Sequence, residues 1–154
     1  MSPTNKLGYL LNHLAFTLAR QSDQVLQEQL GIGFSQFKLL RVLESDPAQQ
    51  QRHIAEKLGQ TEASISRQIR LMLDDGLLES KVSPRNRREH ITTLTPKGTR
   101  LTEEALKVLN RYHEPMWEAV GPKRQAQLLE TLTLMHQQSC RGDRPGRCHQ
   151  SYLD

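Results

Sequence analysis

The stretch from Arg52 to Pro96 constrains the fold more than any other; it reads RHIAEKLGQTEASISRQIRLMLDDGLLESKVSPRNRREHITTLTP. A short helical run ends at Gly59, which marks a tight turn, and a second helical run follows. In the second run Ile65, Ile69 and Leu73 recur at a spacing of four, with Met72 beside them, so they share one buried face. Thr61 stands just ahead as an N-cap, its hydroxyl placed to accept a hydrogen bond from a free backbone N–H. Glu62, Ala63, Ser66, Arg67 and Arg70 fall on the outer side. Two arginines among small hydroxyl side chains suit a helix lying in a DNA major groove. They suit a plain solvated face equally well, and this helix alone does not decide between the two.

The neighbouring segments do. After Gly76 come LLESKVS and EHITTLT, separated by PRNRR. Partial alternation from Leu78 to Val82 and the β-branched run from Ile91 to Thr95 predict two strands joined by an arginine-rich tip, a wing. Helix, turn, helix, wing, then LTPKG opening another helix is an order that resembles the MarR family of bacterial transcriptional regulators. The resemblance extends over about Leu7 to Leu134 and includes LGIGFSQFKLLRVL ahead of the helix-turn-helix. Its most specific motif is an Asp-(Arg/Lys)-Arg run in the wing, then a strand and Leu-Thr-x-x-Gly. Here the residues are Asn86-Arg87-Arg88, then Leu94-Thr95-Pro96-Lys97-Gly98. Asn86 departs from the pattern. In the family that carboxylate helps hold the wing arginine; Asn86 keeps a carbonyl acceptor but carries no charge.

Length and charge fit this picture. A chain of 154 residues with 36% apolar content allows one domain with a modest core. Three Phe, three Tyr and one Trp leave most of the burial to leucine-rich helices. Apolar runs are too short to span a bilayer and the first residues lack a secretory pattern, so the expected location is cytoplasmic, with no membrane partner. The net charge is +4, and its placement is more telling. Between Lys81 and Arg100, Lys81, Arg85, Arg87, Arg88, Lys97 and Arg100 face Glu89 as the sole acid. A polyanion is the natural partner of such a patch.

Outside the head the chain is helical. Leu7, Leu10, Leu11, Leu14, Leu18, Val25 and Leu26 predict a long helix over about 6–29, with Tyr9 and Phe16 widening its apolar stripe. A helix from Phe34 to Glu44 follows, with Phe37, Leu40 and Leu43 inward, and Asp46-Pro47 ends it. Thr95-Pro96 opens a helix that carries Leu101, Ala105, Leu109, Tyr112, Met116 and Val120 and stops at Gly121-Pro122. A last helix to about Gln138 carries Leu128, Leu129, Leu132 and Met135. The predicted architecture is therefore mainly α with a small β wing. A winged helix-turn-helix spans about 34–95, within a single domain of residues 1–140. Long terminal helices at about 6–29 and 96–138 serve dimerisation, and 141–154 form a flexible tail. A helical monomer with a closed core is the competing account of those long helices.

Other chemistries find little support. His136, Cys140, Cys148 and His149 do not match the spacing of the usual zinc ligand pairs, so neither metal nor cofactor is expected. The RGD triplet at 141–143 is read as chance. No phosphate loop, nucleophile elbow or matched acid and histidine is present, and no enzymatic activity is expected. His53 reads as a surface or phosphate-contacting residue, and His90 and His113 as surface or interface residues.

The resemblance implies a homodimeric regulator, a repressor in the leading version, acting on a palindromic operator in double-stranded DNA. Ser64, Ser66, Arg67 and Arg70 would face the major groove, with Ala63 near a thymine methyl. Arg85, Arg87 and Arg88 would act from the wing, and Lys81 would hold a phosphate. It further implies a small aromatic or phenolic effector where the long helices meet the head, with Tyr9, His13, Phe16, Phe37 and Leu40 placed to line that pocket. The same five residues also suit an ordinary core. Two alternatives stay open: a protein-interaction module without a specific DNA target, and a redox-responsive regulator using Cys140 and Cys148. Family members that sense oxidants do so through a cysteine in the first helix, and this chain has none there.

Overall fold

The computed structural model describes residues 2–47, 49–87 and 90–139. Cys140, Cys148, His149, the RGD triplet and the 141–154 tail lie outside the described residues, as does Arg88 of the wing. Among the described residues, six helices and one hairpin follow in the order α1 (Pro3–Leu30), α2 (Phe34–Ser45), α3 (Gln51–Leu58), α4 (Glu62–Asp74), β1 (Leu78–Val82), β2 (His90–Leu94), α5 (Pro96–Val120) and α6 (Pro122–Ser139).

The expected elements are all present, and their boundaries shift for local reasons. Helix α1 begins at Pro3 rather than near residue 6, because Ser2 caps it: its Oγ accepts from the Asn5 N–H at 3.3 Å. Strand β2 ends at Leu94 because Thr95 leaves the strand to cap α5. The Thr95 Oγ1 accepts from the Gly98 N–H at 3.1 Å and donates to the Gly76 carbonyl at 2.6 Å. Pro115 lies inside α5, where it removes one intrahelical hydrogen bond. The strands pair antiparallel from Leu78 opposite Leu94 to Val82 opposite His90.

Two hydrophobic clusters form. The head cluster joins Leu39, Leu40, Val42 and Leu43 of α2 to Ile54 and Ala55 of α3. It continues through Ile65, Ile69 and Met72 of α4 to Leu77 and Leu78. The second cluster, the neck, joins Val25, Leu26, Ile32 and Phe37 to Ala105, Val108 and Leu109 of α5. Helix α2 serves both, and Leu101 packs against each. At the neck, the buried Ser22 on α1 lies 3.2 Å from the Nε2 of His113 on α5, so this histidine joins the two long helices rather than merely facing solvent.

Beyond the neck the long helices have little to pack on. Leu7, Tyr9, Leu10 and Phe16 on α1, Trp117 on α5, and Leu129 and Leu134 on α6 are exposed. Helix α6 buries no residue at all. None of the described helices is long and apolar enough to cross a membrane.

Candidate nucleic-acid interface

The interface is assembled from a cap, a turn and a hairpin. Gly59 takes a left-handed conformation (φ 63°) that closes α3, and the following Gln60 N–H returns to the Ala55 carbonyl at 2.9 Å. Thr61 then caps α4 as expected, accepting from the Ser64 N–H at 3.1 Å. With its start fixed, α4 turns Ile65, Ile69 and Met72 inward to full burial, and Leu73 is partly covered. Ala63, Arg67 and Arg70 are exposed on the opposite side, and Ser66 is half-buried. Among the described residues no carboxylate pairs with Arg67, Arg70, Arg85 or Arg87.

Two predicted contact residues already have partners. The Ser64 hydroxyl donates to Gln60 Oε1 at 3.2 Å and accepts from Gln68 Nε2 at 3.2 Å. Lys81 Nζ lies 2.8 Å from Glu79 Oε1, so its charge is partly offset on the strand itself. The wing turn is held from within: the buried Ser83 accepts from the Arg85 N–H at 3.3 Å, leaving the Arg85 and Arg87 side chains exposed.

Behind the wing, α4 and the α2–α3 link enclose an open cavity of about 610 Å³, lined among others by Leu43, Gln49, Ile69, Ser83 and Arg85. Gln49 Oε1 is buried there without a hydrogen-bond partner among the described residues. Lys57, nearby in sequence at the end of α3, has its pKa lowered by burial, an effect partly opposed by Asp46.

The five residues predicted to line an effector pocket are not brought together within one chain. Tyr9 and His13 stack on the exposed part of α1 with ring centroids 5.8 Å apart, and Phe16 is exposed beyond them. Phe37 is sealed into the neck and Leu40 into the head. Three residues apart on α2, they sink into different cores. No group of three or more metal-ligating side chains occurs among the described residues.

A capped helix-turn-helix with an antiparallel two-stranded wing behind it defines a winged-helix fold. Residues 30–89 match the model of the MarR family. The HTH-type transcriptional regulator PetP of Rhodobacter capsulatus is 29% identical over 113 residues, 73% of this chain and 68% of PetP. Solved structures superpose over most of the length. The transcriptional repressor CouR, bound to a 23-mer DNA duplex, shares 26% identity with a TM-score of 0.71, over 84% of this chain and 91% of CouR. The Mycobacterium tuberculosis MarR family protein Rv2887, in complex with salicylic acid, has a TM-score of 0.72 at 23% identity, over 88% of this chain and 97% of that one. Over residues 30–89 the chain is thus similar to the MarR family of transcriptional regulators, and its fold is that of the family's solved structures.

Proposed function

We propose that the chain acts as a homodimeric repressor that reads a palindromic duplex through α4 and grips its backbone through the wing. The observation that carries this is the exposed outer face of α4, where Arg67 and Arg70 stand without carboxylate partners among the described residues. Each guanidinium offers a planar fork of donors that fits the O6 and N7 acceptors of guanine, worth about 1–3 kcal/mol of discrimination per contact. Arg85 and Arg87, with Arg88, supply phosphate or minor-groove contacts, which add affinity without sequence information. Ala63 and Ser66 complete the reading surface. Lys81 is the weakest member of the set, since DNA must compete with Glu79 for its ammonium. The DNA complex of CouR supports the same use of the fold here.

Dimerisation is proposed from the apolar stripes of α1, α5 and α6, which are exposed in the isolated chain and form one covered core if a second copy packs on them. An effector pocket, if built from Tyr9, His13 and Phe16, is then a property of the pair: a second copy closes over α1, with Phe37 and Leu40 as packing behind the wall. The salicylic acid bound to Rv2887 supports a small aromatic acid as its occupant.

Fluorescence anisotropy tests the DNA reading. Affinity should fall steeply with salt as neutralised phosphates release counterions. Arg87→Ala should lower the slope of log affinity against log salt by about 1 for all sequences, whereas Arg70→Ala should relax preference at one base pair per half-site. Binding that ignores salt, or an Arg70→Ala protein with unchanged sequence preference, would count against it and favour a protein-interaction role for the same face.

A further inference from the structure

Four half-buried polar side chains at the base of α4 are joined in a closed ring. The Ser35 hydroxyl, on the first turn of α2, donates to Gln68 Oε1 at 3.1 Å and accepts from Gln60 Nε2. Gln68 Nε2 donates to Gln60 Oε1 at 2.7 Å and to Ser64 Oγ at 3.2 Å. The Ser64 hydroxyl returns its proton to Gln60 Oε1 at 3.2 Å. A serine hydroxyl has one proton and a glutamine amide has two. Every polar hydrogen of the ring is therefore committed, apart from one N–H of Gln60.

We infer that this ring sets the orientation of α4 relative to α2, making Ser35, Gln60, Ser64 and Gln68 positioning residues for DNA reading, and Ser64 not a base-reading one. The inference rests on the DNA-binding role proposed above. Two physical points carry it. First, Ser64 has no proton left for a base or a phosphate unless the ring opens. Second, α4 is otherwise held on its inner side by Ile65, Ile69 and Met72, and apolar burial is non-directional. Such a contact resists separation but permits a helix to roll. Hydrogen bonds weaken steeply once their angles are lost, so a ring spanning two helices resists roll. Its anchor on α2 lies between Phe34 and Phe37, the part of that helix that packs into the neck with α1 and α5. The orientation of the reading face is thereby referred to the long helices rather than to the head alone.

The test uses the full chain. A duplex enriched by the wild-type protein from a randomised pool is compared with the unselected pool, across a salt series, for wild type, Ser35→Ala, Gln68→Leu and the double variant. Ser35 lies on α2, outside the reading helix, so its loss removes no residue of the proposed contact set. Each single variant should lower the ratio of selected to unselected affinity about tenfold, the scale of one misaligned base contact. The salt slope should stay at the wild-type value, because phosphate contacts from the wing remain. Ser35→Thr, which keeps the hydroxyl, should restore the ratio. The double variant should be no worse than the weaker single one, since either change opens the same ring. A ratio that stays near wild type in Ser35→Ala, with or without a change in melting temperature, overturns the positioning role while leaving DNA reading intact. So do losses that simply add in the double variant. A wild-type protein that enriches no sequence overturns the DNA reading, and this role with it.

Discussion

The head and the arms of this molecule are built on opposite terms. In the head, α2, α3, α4 and the hairpin close over Leu40, Ile54, Ile65 and Met72, and the bends at Gly59 and Thr61 are tied by backbone or cap hydrogen bonds. Past the neck, α1, α5 and α6 carry as many large apolar residues but turn them outward. The same leucine-rich composition thus yields a finished core in one region and an unfinished one in the other. A region that completes its own core can be placed as a unit; one that does not must borrow burial from another surface. This division of labour suits the dimer proposed above, with a head rigid by itself and arms completed by a second surface.

The comparison can be broken most severely at the joint. A Cβ on Gly98 would stand 2.1 Å from the Leu77 carbonyl oxygen, a backbone atom that cannot step aside. Gly98→Ala should therefore cost about 3 kcal/mol or more in urea unfolding, unusually large for adding one methyl. A loss within about 0.5 kcal/mol would mean that head and α5 are not locked there. Second in size is Leu10→Asp, at an α1 residue 57% exposed in the single chain. Light scattering should find monomers in place of dimers, a loss of about 2 kcal/mol or more in association, with the melting of the head barely moved. A dimer that persists would show that the stripe on α1 is not the shared core.

The smallest effect sharpens the comparison from the head side. Burial lowers the pKa of Lys57, with Asp46 opposing, so the unfolded chain binds this proton more tightly than the folded one. The penalty is full below the lowered pKa and is relieved as pH rises from there towards the ordinary value of 10.5. Lys57→Met should consequently stabilise the protein slightly at neutral pH, within about 0.5 kcal/mol. Its advantage over wild type should shrink as alkaline pH is approached. An advantage that grows with pH would reverse the assigned cause.

Much of this was legible in the residues because the signals were local. The inward face of α4 follows from a spacing of four, and the caps at Thr61 and Thr95 from hydroxyls placed before helical runs. The wing follows from β-branched runs around an arginine-rich tip. What escaped depended on distance in the chain. Ser64 has the composition of a groove-facing residue, but its hydroxyl is spent on Gln60 and Gln68, and that ring closes through Ser35, 33 residues before Gln68. Phe37 and Leu40 both announce burial by periodicity, which cannot say that one serves the neck and the other the head. The Lys81–Glu79 pair was visible in principle, since residues two apart on a strand share a face. Gly98 stands in a recognisable motif, yet its reason appears only when the Leu77 carbonyl arrives beside it.

Between the last residue of β2 and the first of α5 there is one residue, Thr95, and it is bonded to both sides: its N–H to the Leu77 carbonyl at 3.0 Å and its hydroxyl to Gly76 and Gly98. Lys97 adds a further tie, donating to the Asp75 carbonyl at 2.7 Å. There is no slack. The 25 residues of α5 make a rod of roughly 37 Å at 1.5 Å per residue, welded to the wing at one end. Anything that tilts the part of α5 ahead of Pro115 by a few degrees must swing the wing with it, because Thr95 leaves no slack between them. A single glycine inserted beside Thr95 would supply a hinge, leaving a protein that still holds its head together, but whose two ends no longer move as one.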